Sequence, residues 1–231
     1  MPREHGAWGI LLIPFATAIG IAGIFNAPVA LLLVSVLCFY LARTSFLKSD
    51  YRGMAGLLVV SLVAVLPVVL IWHRWWLIAF GAGVAPVAFR RTERSLALQL
   101  AAVAGLTLTA PVAWYVATGL LNWPAWRLWL VNALYFIGRV FYVKMHITAA
   151  SQRNGSRLRL GALTLAYHGV LAGVAASWWP VGLAFVPGII HAVIGTARLT
   201  TVLKIKQIAW TEAAVSVVFG VSFVVVMRFF R

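Results

Sequence analysis

Acidic residues are nearly missing from this chain of 231 residues, where four Asp+Glu stand against nineteen Lys+Arg. Paired carboxylates for general acid–base work are therefore scarce. Glu4, Asp50, Glu93 and Glu212 are too scattered to build a multi-carboxylate Mg²⁺ site unless folding gathers them. Cysteine occurs once, at Cys38 inside an apolar run, which excludes a disulfide framework and a Cys-based metal site. Charge of either sign is sparse, 10% of residues against about 25% in an ordinary globular domain. A Gly-rich phosphate loop and a nucleophile–base–acid set are also absent. The first apolar run, from Ala7, has no small-residue cleavage pattern, so it reads as a retained helix rather than a signal peptide.

What is present is apolar: 63% of the residues are hydrophobic. A soluble fold of this size cannot bury that much apolar surface, so lipid must be part of the solvent. Punctuation by Pro, Gly, Asn and charge divides the chain into nine runs. They are Ala7–Phe25, Val29–Arg43, Met54–Trp72, Trp75–Phe89, Leu96–Ala117, Trp126–His146, Leu160–Ala176, Val181–Thr200 and Trp210–Met227. The expected fold class is an all-α membrane protein of nine transmembrane helices in one domain, residues 1–231. The longest polar connection, 149–157, is expected to be a mobile loop.

Charge placement orients the bundle. With the N-terminus inside, fifteen of the nineteen basic residues fall on inner segments, leaving Arg74, Arg127, Arg228 and Arg231 outside. Eight of the eleven tryptophans, Trp72, Trp75, Trp76, Trp123, Trp126, Trp129, Trp178 and Trp179, flank outer loops as an aromatic belt. The C-terminus is then outside. Basic residues set between apolar runs face an anionic leaflet, so the net charge of +15 does not argue for nucleic acid. The expected location is the bacterial cytoplasmic (inner) membrane.

Ionisable groups at membrane depth are costly, so each needs a partner or a task. Arg139 lies roughly 10 Å below the inner surface at about 1.5 Å per residue, and shares a helical face with Tyr142 and His146. Lys144 points elsewhere. His191 and Arg198 share a face with Gly195, His168 lies about two turns into the seventh run, and Glu212 opens the ninth. With Arg3, His5 and Arg43 at inner ends, these groups suggest a cytoplasm-facing basic cavity suited to an anionic head group. The candidate ligand-binding set is Arg3, His5, Arg43, Arg139, Tyr142, Lys144, His146, His191, Arg198 and Glu212. The competing account is structural: basic ends snorkel to lipid phosphates, and buried histidines donate to carbonyls. No metal or other cofactor is expected. Haem is the minor alternative left by His5, His146, His168 and His191, although no two have ligand spacing within one helix.

Several stretches carry a family resemblance. Pro2-Arg3-Glu4-His5-Gly6-Ala7-Trp8-Gly9 with Leu11-Leu12-Ile13-Pro14-Phe15 resembles the opening of the YwiC-like bacterial membrane proteins. Gly138-Arg139-Val140-Phe141-Tyr142-Val143-Lys144 and Lys206-Gln207-Ile208-Ala209-Trp210-Thr211-Glu212 look like that family's later motifs. More distantly, nine helices and the run Ala85-Pro86-Val87-Ala88-Phe89-Arg90-Arg91-Thr92 resemble the UbiA superfamily of intramembrane prenyltransferases. That likeness implies a helical bundle and an isoprenoid or other anionic lipid-like ligand. Its Asp-rich Mg²⁺ motifs are not carried over, because 43–52 holds only Asp50 and 142–148 holds no acid.

Three functions fit. The first is a binder of an anionic or phosphorylated lipid-like ligand, whose enzymatic form is a divergent UbiA-like transferase without the Asp-rich motifs. The second is a small anion transporter, and the third a non-catalytic membrane scaffold or assembly factor. A transporter would show an inverted repeat with matching broken helices, and Pro67, Pro111 and Pro187 do not pair in that way.

Overall fold

The computed structural model describes residues 5–89, 95–150, 154–197 and 205–230. Every described element is helical: α1 His5–Ala22, α2 Ala27–Leu47, α3 Tyr51–Leu70, α4 Trp76–Ala88 and α5 Leu96–Thr107 come first. They are followed by α6 Thr109–Thr118, α7 Trp123–Ala150, α8 Asn154–Ser177, a 3₁₀ turn Val181–Phe185, α9 Val186–Ala197 and α10 Ile205–Phe229. Six described segments are long and apolar enough to cross a bilayer: Ala27–Leu47, Tyr51–Leu70, Leu96–Thr118, Trp123–Thr148, Arg159–Ser177 and Lys206–Phe229. Trp8–Ala22, Trp76–Pro86 and Val181–Ala197 are shorter apolar helices, and they fall where the first, fourth and eighth of the nine runs were read. The protein is a multi-pass membrane protein.

The outward faces fit lipid. Val59, Leu62, Val63 and Leu66 of α3 are all exposed, a cost in water that disappears against acyl chains. The opposite face of α3 meets α2 through small polar groups, with the Ser61 hydroxyl donating to the Ser35 carbonyl at 2.9 Å. Such contacts serve helix association where the solvent gives no hydrophobic drive.

Helix ends follow local chemistry. Asn26 caps α2 by accepting from the Val29 amide at 3.3 Å, with Pro28 in the first turn. Asp50 caps α3 by accepting from the Gly53 amide at 3.0 Å. Gly119 closes α6 at φ +82°, in the left-handed region that glycine enters without strain.

Three sequence expectations need correction. The run 96–117 is not one continuous helix; it breaks at Leu108 into α5 and α6. Pro111 lacks the N–H that would bond the Thr107 carbonyl. The Thr107 hydroxyl bonds carbonyls one turn back, and the Thr109 hydroxyl reaches the Leu11 carbonyl at 2.9 Å, which fixes the break against α1. The mobile loop expected at 149–157 is largely helix, since α7 runs to Ala150 and α8 begins at Asn154. Polar residues at a membrane surface continue a helix freely, because the backbone bonds do not depend on side-chain hydropathy. For the same reason α2 runs past Arg43 to Leu47.

The centre of the bundle is α7, 61% buried over its spanning window, more than any of the other five long segments. It packs against α1, α5, α6, α8, α9 and α10. On its α10 side lies an aromatic seam in which Phe219 stacks on Tyr135 at 3.7 Å between ring centroids, with Phe185 and Phe223 alongside.

Candidate functional site

The heptad-like spacing of Arg139, Tyr142 and His146 turns all three inward from α7, and all three are buried. Two glycines of α9 let it approach that face closely. A Cβ at Gly188 would stand 2.9 Å from the Tyr135 ring, and one at Gly195 would overlap the Tyr142 ring and hydroxyl. His191 lies between those glycines on α9, and so is carried into the same cluster. From the other side α10 contributes Glu212 in its second turn.

The arrangement is tightly knit. Arg139 donates through Nε and Nη2 to the two carboxylate oxygens of Glu212, a bidentate pair with only 6% and 12% side-chain exposure. Its Nη1 reaches the Gly188 carbonyl at 3.4 Å, a long contact. The guanidinium carbon sits 4.5 Å from the centroid of the Tyr142 ring, within cation–π range. Tyr142 in turn contacts the rings of His146 and His191 at 4.5 and 4.9 Å. His191 Nε2 lies 3.3 Å from Glu212 Oε1, and no other partner for it lies among the described residues. His146 Nε2 is buried with no hydrogen-bond partner among the described residues. Leaving such a nitrogen unpaired costs about 1–3 kcal/mol.

Of the ten residues singled out from the sequence, five meet here: Arg139, Tyr142, His146, His191 and Glu212. Arg43 lies elsewhere, where its Nε donates to the Ala88 carbonyl at 2.9 Å and ties α2 to the end of α4. Lys144 is half-buried on another face of α7. Arg3 and Arg198 lie outside the described residues, and His5 is described only as part of the α1 backbone. His168 does not join the cluster directly; its Nδ1 is 2.8 Å from the Thr164 carbonyl one turn back on α8. Among the described residues no three His, Cys, Asp or Glu side chains come together as a metal would require.

Sequence reasoning missed Asn132 and Tyr135, which continue the Arg139 face of α7 away from His146. Asn132 Nδ2 donates to Thr17 Oγ1 of α1 at 3.2 Å, and the Tyr135 hydroxyl lies 3.4 Å from Ser216 Oγ of α10. The same seven-residue spacing that grouped Arg139 with His146 leads back from Arg139 to Asn132. A surface pocket of about 420 Å³ elsewhere, between Trp76, Ala79, Phe80, Leu121 and Trp126, is lined by apolar side chains and belongs to no polar cluster.

Comparison with known proteins agrees with the N-terminal motif. The family model described as YwiC-like protein matches residues 1–114. The uncharacterized protein YwiC of Bacillus subtilis (strain 168) is 29% identical over 206 residues, which cover 83% of this chain and 84% of that protein. No solved structure matches the chain.

Proposed function

We propose that this YwiC-like multi-pass membrane protein binds an anionic, lipid-like ligand at the α7–α9–α10 cluster, in the inner half of a bacterial cytoplasmic membrane. The observation that carries the reading is the His146 imidazole, whose Nε2 is buried without a hydrogen-bond partner among the described residues, on the face that holds Arg139 and Tyr142. A phosphate or carboxylate oxygen satisfies that nitrogen and the guanidinium fork together. Glu212 occupies the fork at rest and neutralises it, so the cluster costs less while no ligand is bound. On ligand entry the carboxylate shifts toward His191, already 3.3 Å from the same oxygen. A divergent transferase is the enzymatic form of this proposal. Mg²⁺ chemistry is no part of it, since Asp50 is engaged as the α3 cap.

The satisfied Arg139–Glu212 pair also favours a second reading, a structural clasp of α7 to α10 in a non-catalytic scaffold. One substitution separates the two. His146→Phe keeps the ring contact with Tyr142 but removes the nitrogen. A ligand hydrogen bond to that nitrogen is worth about 1.5–3 kcal/mol if charge-assisted, and 1.4 kcal/mol is tenfold in affinity. Retention of the co-purifying anionic lipid, measured by mass spectrometry, is therefore expected to fall about tenfold or more with unfolding temperature unchanged. An identical lipid complement in both proteins leaves only the clasp.

The proposal includes a topology: nine crossings, the N-terminus in the cytoplasm and the C-terminus outside. It rests on the fifteen basic residues that this arrangement places inside. The described part of α4 spans only about 20 Å at 1.5 Å per residue, so its crossing needs local thinning of the bilayer. Reporter fusions after Arg231 and within residues 151–153 are expected on opposite sides. Both on one side removes the nine-crossing arrangement.

A further inference from the structure

We propose that the buried face of α7 carries a hydrated proton path that enters at His146, passes the Arg139–Glu212 pair and ends at Asn132. This goes beyond ligand binding and does not depend on it. Asn132, Tyr135, Arg139, Tyr142 and His146 are spaced three and four apart, so they form one stripe on one helical face. The stripe is roughly 21 Å long at 1.5 Å per residue. All five are 5% exposed or less, which is unusual for a row of polar groups in a bilayer.

Neighbouring helices extend the row with polar groups, while Phe219 of α10 stacks on the Tyr135 ring within it. Beside His146 and Tyr142, α9 supplies His191. Beside Arg139, α10 supplies Glu212, and one turn further on Ser216 approaches the Tyr135 hydroxyl at 3.4 Å. At the far end α1 supplies Thr17, which takes the Asn132 amide at 3.2 Å and donates to the Pro14 carbonyl at 2.9 Å. Among the described residues the titratable and charged groups facing the stripe are His191 and Glu212, with Tyr167 and His168 of α8 behind Gly138. Beyond Asn132 the face turns apolar at Leu128 and Ala125, so the path stops inside the bundle.

Both ends of the stripe hold an unpartnered, buried polar atom: His146 Nε2 at one and Asn132 Oδ1 at the other. Either atom alone is a local oddity. Two of them at the ends of one polar row are what bridging waters would satisfy. Arg139 would repel protons if it were alone, but Glu212 cancels its charge. Along the row a proton passes from water to the His146 imidazole and on to water. One N–H or O–H bond forms as another breaks, with no electron transfer. Such a blind path delivers protons from one surface to the interior, as His, Glu and hydroxyl chains do in membrane pumps.

The test uses the wild-type chain in bilayers, because two sequence pairs mark the ends without mutation. Val131-Asn132 and Met145-His146 are the sole Val-Asn and Met-His pairs in the chain, so paired isotope labelling selects each by solid-state NMR. Magnetisation transferred from water is expected to reach the Asn132 side chain and the His146 ring within about twofold of its rate at the helix-cap residue Asn26, since bridging waters bond directly to both. A proton-exchange cross-peak between water and the His146 ring is expected as well. Transfer to Asn132 as slow as to the buried Phe219 ring overturns the proposal. Hydration at His146 alone also overturns it, because the path would then end before the ion pair. Ser216→Ala provides a second reading: it is expected to slow transfer to Tyr135 at least threefold by removing the α10 hydroxyl, and unchanged transfer counts against the proposed route.

Discussion

Glu212→Leu is expected to lower the stability of the folded bundle by about 3–5 kcal/mol, because it leaves the Arg139 guanidinium buried without its counter-charge. The size follows from where Arg139 sits. Its side chain is 6% exposed, two of its donors go to Glu212, and the remaining acceptor among the described residues is the Gly188 carbonyl at 3.4 Å. Loss of the carboxylate also removes the anion beside His191. Arg139→Met alone is expected to be costly in turn, since Glu212 then keeps only His191. The double variant Arg139→Met with Glu212→Leu removes both charges together and is expected to recover most of the loss, as exchange of a buried ion pair for apolar groups often does. Denaturant unfolding in mixed micelles measures all three. Losses that simply add in the double variant would show that the two side chains do not stabilise each other.

The second large effect is expected at Phe219. Phe219→Ala empties a site with 0% exposure, against Tyr135, Phe136, Phe185 and Phe223. In water much of the cost of such a change is transfer of apolar surface. In lipid that part nearly vanishes, because acyl chains solvate phenyl rings as well as the bundle does. The cavity remains: roughly 100 Å³ at about 24 cal/mol per Å³ gives about 2.4 kcal/mol. The lost stack on Tyr135 adds about 0.5–1.5 kcal/mol. A total near 3–4 kcal/mol is expected. Val221→Ala on the same helix, where the side chain is 59% exposed to lipid, is expected to cost less than about 0.5 kcal/mol. Equal losses at the two positions would mean that the aromatic seam is not what binds α10 to α7.

Much of this protein was legible in its sequence because a bilayer leaves few choices. Backbone groups in hydrocarbon must bond internally, so long apolar runs become helices whatever their neighbours are. That logic located the helical segments, and punctuation such as Asn26-Ala27-Pro28 marked where they stop. Helical periodicity also grouped Arg139, Tyr142 and His146, since side-chain direction along one helix is fixed by spacing alone. Ends were less legible: Asn154–Arg159 and Thr44–Leu47 are polar enough to look like loop, yet backbone bonding carries the helix through them.

Partnership across helices was not legible. Spacing cannot say that Glu212, seventy-three residues away, is the group that meets Arg139, nor that Arg43 turns to the Ala88 carbonyl instead of joining them. Those pairings depend on which helices touch. That is decided by packing, through the close approach that Gly188 and Gly195 allow α9 and through the aromatic seam between α7 and α10. Asn132 and Tyr135 look like ordinary members of an apolar run until Thr17 and Ser216 are brought against them. The sequence by itself determined a helical, multi-pass membrane chain with an inward-facing polar stripe on one helix, because solvent and helical period act locally. Only the tertiary structure decided that the stripe's arginine is neutralised by a distant carboxylate, because pairing between buried charges is settled by the contacts of the whole bundle.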